Sequence, residues 1–164
     1  MEASYRFLWI TPIKKSEHLL FNLLSFHYFK NSEDRNVLFF GSLGRLAPLT
    51  VVPYVAAMEL THLRGKGYFV KFKNRIVGIF VFREKNDALY ISSLAVAPKY
   101  RRLGIGTHIL KYAEKVAKRM QKKWLELSVS KVNTSALQLY KKNGFSIKKE
   151  KKWSFILRKK VETY

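Results

Sequence analysis

The chain has 164 residues, enough for one packed domain and too few for two full cores. Its 48% hydrophobic and 15% aromatic content exclude a disordered tail, and its lack of cysteine excludes a disulfide framework, a thiolate metal site and a cysteine nucleophile. Thirty-two Lys and Arg against eleven Asp and Glu leave a net charge of +21, a field that attracts nucleic acid, acidic protein surfaces or a phosphate-rich cofactor. Lysines that merely solubilise the surface would give the same number. No run approaches the roughly 18 apolar residues that a membrane span needs. The most apolar region, Leu46 to Met58, is broken by Pro48 and Pro53, and Phe7 to Ile10 is too short for the core of a secretion signal. The expectation is a single domain over residues 1–164, cytoplasmic and without membrane association, as a monomer or homodimer.

In chain order, Tyr5 to Ile10 alternates as a first strand. Glu17 to Phe29 places Leu19, Leu20, Leu23, Leu24 and Phe26 at helical spacing. Asn31 to Arg35 is a polar break, and Asn36 to Thr50 mixes apolar residues with Gly41, Gly44 and Pro48 without a clear period. Pro53 suits the first turn of a second helix ending near Leu63. Beyond Gly65 and Gly67 the period becomes strand-like: Tyr68 to Lys73 and Arg75 to Arg83, joined by a tight turn at Lys73-Asn74, then Ala88 to Val96, stopped by Ala97-Pro98. The clearest helix runs from Gly104 to about Lys122. Its apolar stripe is Ile105, Ile109, Tyr112, Ala113, Val116, Ala117 and Met120, with Glu114 four residues before Lys118 on the other face. Trp124 to Val129 is again a strand, so the two strands flanking this helix should be parallel, joined by a right-handed crossover. Thr134 to Lys142 is a short helix with Asn133 as N-cap and Asn143-Gly144 as stop, followed by a last strand pair, Phe145 to Lys148 and Trp153 to Lys159. The pattern predicts an α/β domain: one mixed, mostly antiparallel sheet with a central parallel pair and flanking helices.

Strand, then Arg101-Arg102-Leu103-Gly104-Ile105-Gly106-Thr107, then helix is a physically sensible anion site. Glycines let backbone approach a ligand, and the first N–H groups of a helix lack internal acceptors and sit at the positive end of its dipole. Thr107 adds a hydroxyl donor, and Arg101 and Arg102 add charge. A dinucleotide fingerprint would need a third glycine and a following acidic residue, and the lysine of a nucleoside-triphosphate loop is missing. Alone, the turn reads equally well as an ordinary helix start with two solvated arginines.

Three ordered blocks decide its meaning. Leu94-Ala95-Val96-Ala97-Pro98 leads through Tyr100 into Arg101-Arg102-Leu103-Gly104-Ile105-Gly106; an amphipathic helix and the strand Trp124 to Val129 follow; then comes Asn133-Thr134-Ser135-Ala136-Leu137-Gln138-Leu139-Tyr140-Lys141-Lys142-Asn143-Gly144-Phe145. With these, Tyr68 to Phe155 resembles the GNAT superfamily of acetyl-CoA-dependent N-acetyltransferases. The resemblance implies that the two central strands splay and that acetyl-CoA lies in the cleft. Backbone groups along Leu94, Ala95 and Val96 would pair with pantetheine and polarise the thioester, amides from Arg101 to Thr107 would hold pyrophosphate, and Asn133 would face the cofactor from the other side. Tyr140 takes the place of the general acid that protonates the departing thiolate, a role suited to a phenol that is protonated at neutral pH.

The general base departs from the family's pattern. Strand alternation puts Tyr90 and Ser92 on the face of Leu94 and Val96, and Ser128 stands at a position commonly acidic. Glu126 is the candidate base, either through water or as a structural partner of the lysines; Glu59, His62 and Glu84 are weaker candidates. His18, His27 and His108 suit surface or packing roles, and no histidine–carboxylate spacing suggests a metal. The expected acceptor is a primary amine on a protein, a lysine side chain or an N-terminus, with a small-molecule amine as the alternative. The short final connection lacks the tyrosine-rich loop of ribosomal-protein-type N-terminal acetyltransferases, which weighs against an N-terminal acceptor. The rival reading is a non-catalytic nucleic-acid- or CoA-binding module on the same fold.

Overall fold

A computed structural model describes residues 8–30 and 65–162. The helix expected from Pro53 to Leu63, the unassigned stretch 36–50, and the candidates Glu59 and His62 lie outside the described residues. Among the described residues, seven strands form one sheet in the order β1-β2-β3-β4-β5-β7-β6. These are β1 (Leu8–Pro12), β2 (Lys66–Phe72), β3 (Arg75–Glu84), β4 (Ala88–Val96), β5 (Trp124–Ser130), β6 (Ser146–Glu150) and β7 (Ser154–Lys160). The helices are α1 (His18–Lys30), α2 (Ile105–Arg119) and α3 (Thr134–Lys142). Every neighbouring pair is antiparallel except β4–β5, which is parallel, as a strand–helix–strand crossover through α2 requires.

Two apolar clusters sandwich the sheet. The larger takes Phe80, Phe82, Leu89 and Ile91 from the sheet, the buried stripe Ile105, Ile109, Leu110, Ala113 and Ala117 from α2, and Tyr140 from α3. Tyr68, Phe80, Phe82 and Tyr112 stack there with ring centroids 4.8–6.4 Å apart. The smaller cluster holds Phe21 of α1 against Phe69, Ile79, Val81 and Ala95. Glu114 of α2 reaches the sheet instead of remaining a helix-surface group, pairing with Lys159 Nζ at 2.9 Å.

The strands follow the expected spans closely, but their pairing carries a feature that alternation conceals. Val81 pairs with Ser93 and Phe82 with Ile91, so Ser92 of β4 is an extra residue, a β-bulge. The bulge reverses the facing of everything after it. Phe80 and Phe82 share a face, so their partners Leu94 and Ile91 share one too, and Leu94 and Val96 pack on the α2-side cluster with Leu89 and Ile91. The expectation that Tyr90 lies on the face of Leu94 and Val96 is thereby corrected, because the inserted residue, Ser92 itself, breaks the period of two.

The turn between β2 and β3 is as tight as expected, with Lys73 at φ 45° and Asn74 at φ 62°. Both central positions are left-handed, which suits a hairpin's twist but strains a lysine. Lys73→Asn should therefore raise stability by roughly 0.5–1 kcal/mol, read as a higher urea midpoint at unchanged m-value.

Candidate active site

β4 and β5 pair only from Ala88↔Trp124 to Ile91↔Leu127, although β4 continues to Val96 and β5 to Ser130. Beyond that point each strand keeps only its outer partner, β3 or β7, so the sheet opens between them. The bulge at Ser92 sits where the separation begins. Backbone direction on the open side follows from one hydrogen bond: Ala97 N–H donates to Val77 C=O at 2.9 Å, so residue 97 faces β3. Alternation then turns the N–H and C=O of Leu94 and Val96 away from β3 into the opening, while Ala95 points its backbone to β3 and its side chain into the α1-side core. The Val96 carbonyl is engaged by Arg101 Nε at 3.1 Å, which folds the arginine back over the end of β4.

The turn after β4 is shaped as an anion cradle. A 3-10 turn at Pro98–Tyr100 leads to Arg102 at φ 65° and Gly104 at φ 80°, two left-handed residues that swing the chain into α2. The first intrahelical bond runs from His108 N–H to Gly104 C=O, so the N–H groups of Ile105, Gly106 and Thr107 precede the ladder and stand at the positive end of the helix. These donors, with Arg101, Arg102 and the Thr107 hydroxyl, fit a pyrophosphate. Gly106 has an additional reason to be glycine. A Cβ there would come within 2.8 Å of Leu139 Cδ2, so the first turn of α2 lies directly against Leu139 of α3.

That docking brings in the third block. Asn133 caps α3 by accepting the Ala136 N–H at 3.0 Å. Tyr140 is 7% exposed and lies in the apolar cluster on which Leu94 and Val96 pack, its ring 5.8 Å from Phe145 at 60°. α3 ends at Asn143, and Gly144 at φ 84° reverses the chain. The side chain of Asn143, which sequence reasoning used only as a stop signal, donates to Leu139 C=O at 2.8 Å and to Thr107 Oγ1 at 3.3 Å.

Glu126 is placed very differently from a free base. It lies where β4 and β5 are still paired, opposite Tyr90, and is 4% exposed. One carboxylate oxygen accepts from Lys85 Nζ at 2.8 Å; the other accepts from Lys148 Nζ at 2.8 Å and Arg158 Nε at 3.3 Å. Burial alone would raise its pKa, but the hydrogen bonds and charges of Lys148 and Lys85 outweigh burial and hold it at about 2. Such a carboxylate is a poor proton acceptor and a good strut, tying the β3–β4 turn, β5, β6 and β7 together. Sequence reasoning missed Lys85, Lys148 and Arg158 because they are 41, 22 and 32 residues away from Glu126. Burial raises the pKa of Tyr90, and the Glu126 charge adds to the shift, so its phenol stays protonated at neutral pH. Ser128 is exposed and paired with Ile156, and Glu84 bridges to Lys66 and Lys122 at 3.9 Å.

Removing the Glu126 charge leaves three cations facing one another. Glu126→Gln should cost about 2 kcal/mol at pH 7, less than the full penalty for breaking a buried pair because both lysines are half-exposed. The folded pKa is depressed, so this stabilisation is fully present above the unfolded value near 4.5 and is lost as pH falls through about 2. Urea midpoints of the two proteins should differ at pH 6 and converge as pH approaches 2.

Comparison with known proteins agrees with this architecture. The Acetyltransferase (GNAT) family profile matches residues 43–145. An N-alpha-acetyltransferase of Sulfurisphaera tokodaii is 44% identical over 59 residues, covering 34% of each chain. The probable N-acetyltransferase san of Drosophila melanogaster is 34% identical over 102 residues, 57% of this chain and 52% of that protein. The matches thus span about half or less of either curated relative. Among solved structures, the PaiA N-acetyltransferase of Thermoplasma acidophilum in complex with coenzyme A superposes with a TM-score of 0.75 at 16% identity, over 93% of this chain and 98% of that one. A GNAT family acetyltransferase of Elizabethkingia anophelis with acetyl-CoA bound gives 0.69 at 21% identity, over 95% and 99%. At such identities the likeness is one of fold. The profile match covers well over half of the chain and takes in the anion turn, the Asn133 cap and Tyr140, and the chain belongs to the GNAT family of acetyltransferases.

Proposed function

We propose that the protein transfers an acetyl group from acetyl-CoA to the α-amino group of a protein N-terminus, by direct attack within a ternary complex. The observation that carries the choice of amine is the state of Glu126. An ε-amino group has a pKa near 10.4, so only about 0.1% of it is neutral at pH 7.5 and a lysine acceptor needs an effective base. An α-amino group, with a pKa near 7.7–8.0, is already roughly one-third neutral there. With the Glu126 carboxylate occupied by three cations and Tyr90 held protonated, the described residues suit the amine that needs less help. The Sulfurisphaera relative, named as an N-alpha-acetyltransferase, favours the same acceptor. These two observations outweigh the short final connection, which argued against an N-terminal substrate.

In this reading the amine nitrogen bonds to the thioester carbon, the carbon–sulfur bond breaks, and an amide and free CoA result. The thioester supplies the activated acyl group. Val96 N–H, directed into the opening, stabilises negative charge developing on the carbonyl oxygen. The N–H groups of Ile105, Gly106 and Thr107, with Arg101 and Arg102, hold the pyrophosphate, and Asn133 flanks the pantetheine. Tyr140 delivers its hydroxyl proton to the departing sulfur and recovers one from solvent. The attacking nitrogen loses its proton to solvent. Lys149 near the end of β6 and Lys151 and Lys152 in the β6–β7 connection are exposed beside the end of β5, where Lys131 N–H donates to Trp153 C=O, and they favour a protein acceptor with acidic residues near its amine.

Two peptide series assayed for free CoA test the proposal: free α-amines with blocked lysines, and blocked α-amines with free lysines. The first should be preferred at least tenfold at pH 7.5. Turnover of lysine-only peptides or of small amines alone would overturn the acceptor assignment. Tyr140→Phe should lower kcat by about 100-fold while leaving the KM for acetyl-CoA within about threefold; an unchanged kcat would remove Tyr140 from the acid role.

A further inference from the structure

The Asn143 side chain links the end of α3 to the first turn of α2, and its two bonds have unequal meaning. Leu139 C=O can only accept, so the 2.8 Å contact requires the Asn143 amide nitrogen, not its oxygen, to point there. The same nitrogen lies 3.3 Å from Thr107 Oγ1. Its second hydrogen therefore donates to the threonine, and Thr107 Oγ1 serves as acceptor in that contact. A hydroxyl that accepts on one side keeps its own hydrogen for another direction. Thr107 is the third residue of α2, and helical side chains lean toward the N-terminus, so this hydroxyl stands beside the N–H groups that precede the ladder.

We infer that Asn143 is a positioning residue that sets the Thr107 hydroxyl as a donor to the pyrophosphate of CoA. The inference rests on the cofactor reading above. Asn143 touches no part of the cofactor; it acts by occupying the acceptor side of Thr107, so the hydroxyl joins the backbone N–H groups as a preset donor instead of rotating among solvent partners. The Gly106–Leu139 approach keeps the two helices close enough for the bond to form. An aspartate at the same position would reverse the polarity, drawing the Thr107 hydrogen to itself and presenting an oxygen lone pair to the phosphate.

Calorimetric titration with CoA and with acetyl-pantetheine, which lacks the pyrophosphate, provides the test. Asn143→Ala should weaken CoA binding about five- to tenfold, Asn143→Asp should weaken it further, and neither should change acetyl-pantetheine affinity by more than about twofold. In a Thr107→Val background, Asn143→Ala should have no additional effect, whereas a Thr107→Ser background, which keeps the hydroxyl, should preserve it. Equal losses for CoA and acetyl-pantetheine, or additive losses in the Thr107→Val background, would overturn the role of Asn143 while leaving the cofactor site standing. Failure of the wild-type protein to bind CoA at millimolar concentration would overturn the cofactor reading and this inference with it.

Discussion

The site depends on the interruption of pairing between β4 and β5. Adjacent parallel strands satisfy each other's backbone groups, and a sheet that stays closed has nowhere to hold an extended ligand. Here pairing stops after Ile91 and Leu127 because β4 carries Ser92 as an extra residue against β3. A bulge bends its strand, and this one sits where β4 parts from β5. Leu94 and Val96 then have backbone groups aimed into the opening, and Arg101 occupies the Val96 carbonyl at its rim.

Such an opening would weaken the sheet at its centre, and the molecule restrains it from both ends. At the paired end, Glu126 gathers Lys85, Lys148 and Arg158, with Lys85 Nζ also 3.9 Å above the Tyr90 ring and the Arg158 guanidinium 4.6 Å above Trp124. A carboxylate with three cationic partners avoids the penalty of an uncompensated buried charge. At the open end, α2 and α3 bridge the gap on one face, locked by the Gly106–Leu139 approach and the Asn143–Thr107 bond. Electrostatics ties the paired end, and helix packing lies beside the other.

The same arrangement divides the chemical work. In the proposed cofactor site, phosphate recognition falls to backbone N–H groups and a hydroxyl at a helix start, which need a conformation more than particular side chains. Left-handed Arg102 and Gly104 supply that conformation. In the same proposal, proton donation falls to Tyr140, whose ring is held in the α2-side core against Phe145. In the proposed reaction, proton acceptance is left to a permissive substrate amine and solvent, because the Glu126 carboxylate of β5 serves the sheet instead.

Local chemistry made much of this readable without coordinates. Thr134–Lys142 could be placed from its Asn cap and Gly stop, Ala88–Val96 from its period and the following proline, and the anion turn from its glycines, because each signal is complete within a few residues. Those same blocks, in order, pointed to the family. What no local pattern could reveal was anything set by pairing across the fold. The bulge at Ser92 exists only against β3, and it corrected which residues face the cleft with Leu94 and Val96. The fate of Glu126 depended on three cations from one turn and two other strands, and that of Gly106 and Asn143 on a helix more than thirty residues away. The sequence by itself determined the elements and the donor turn, since those are encoded at short range. Tertiary structure alone decided which carboxylate is consumed by the fold and which threonine hydroxyl accepts from Asn143, since a side chain's protonation and hydrogen-bond direction depend on the neighbours that folding brings to it.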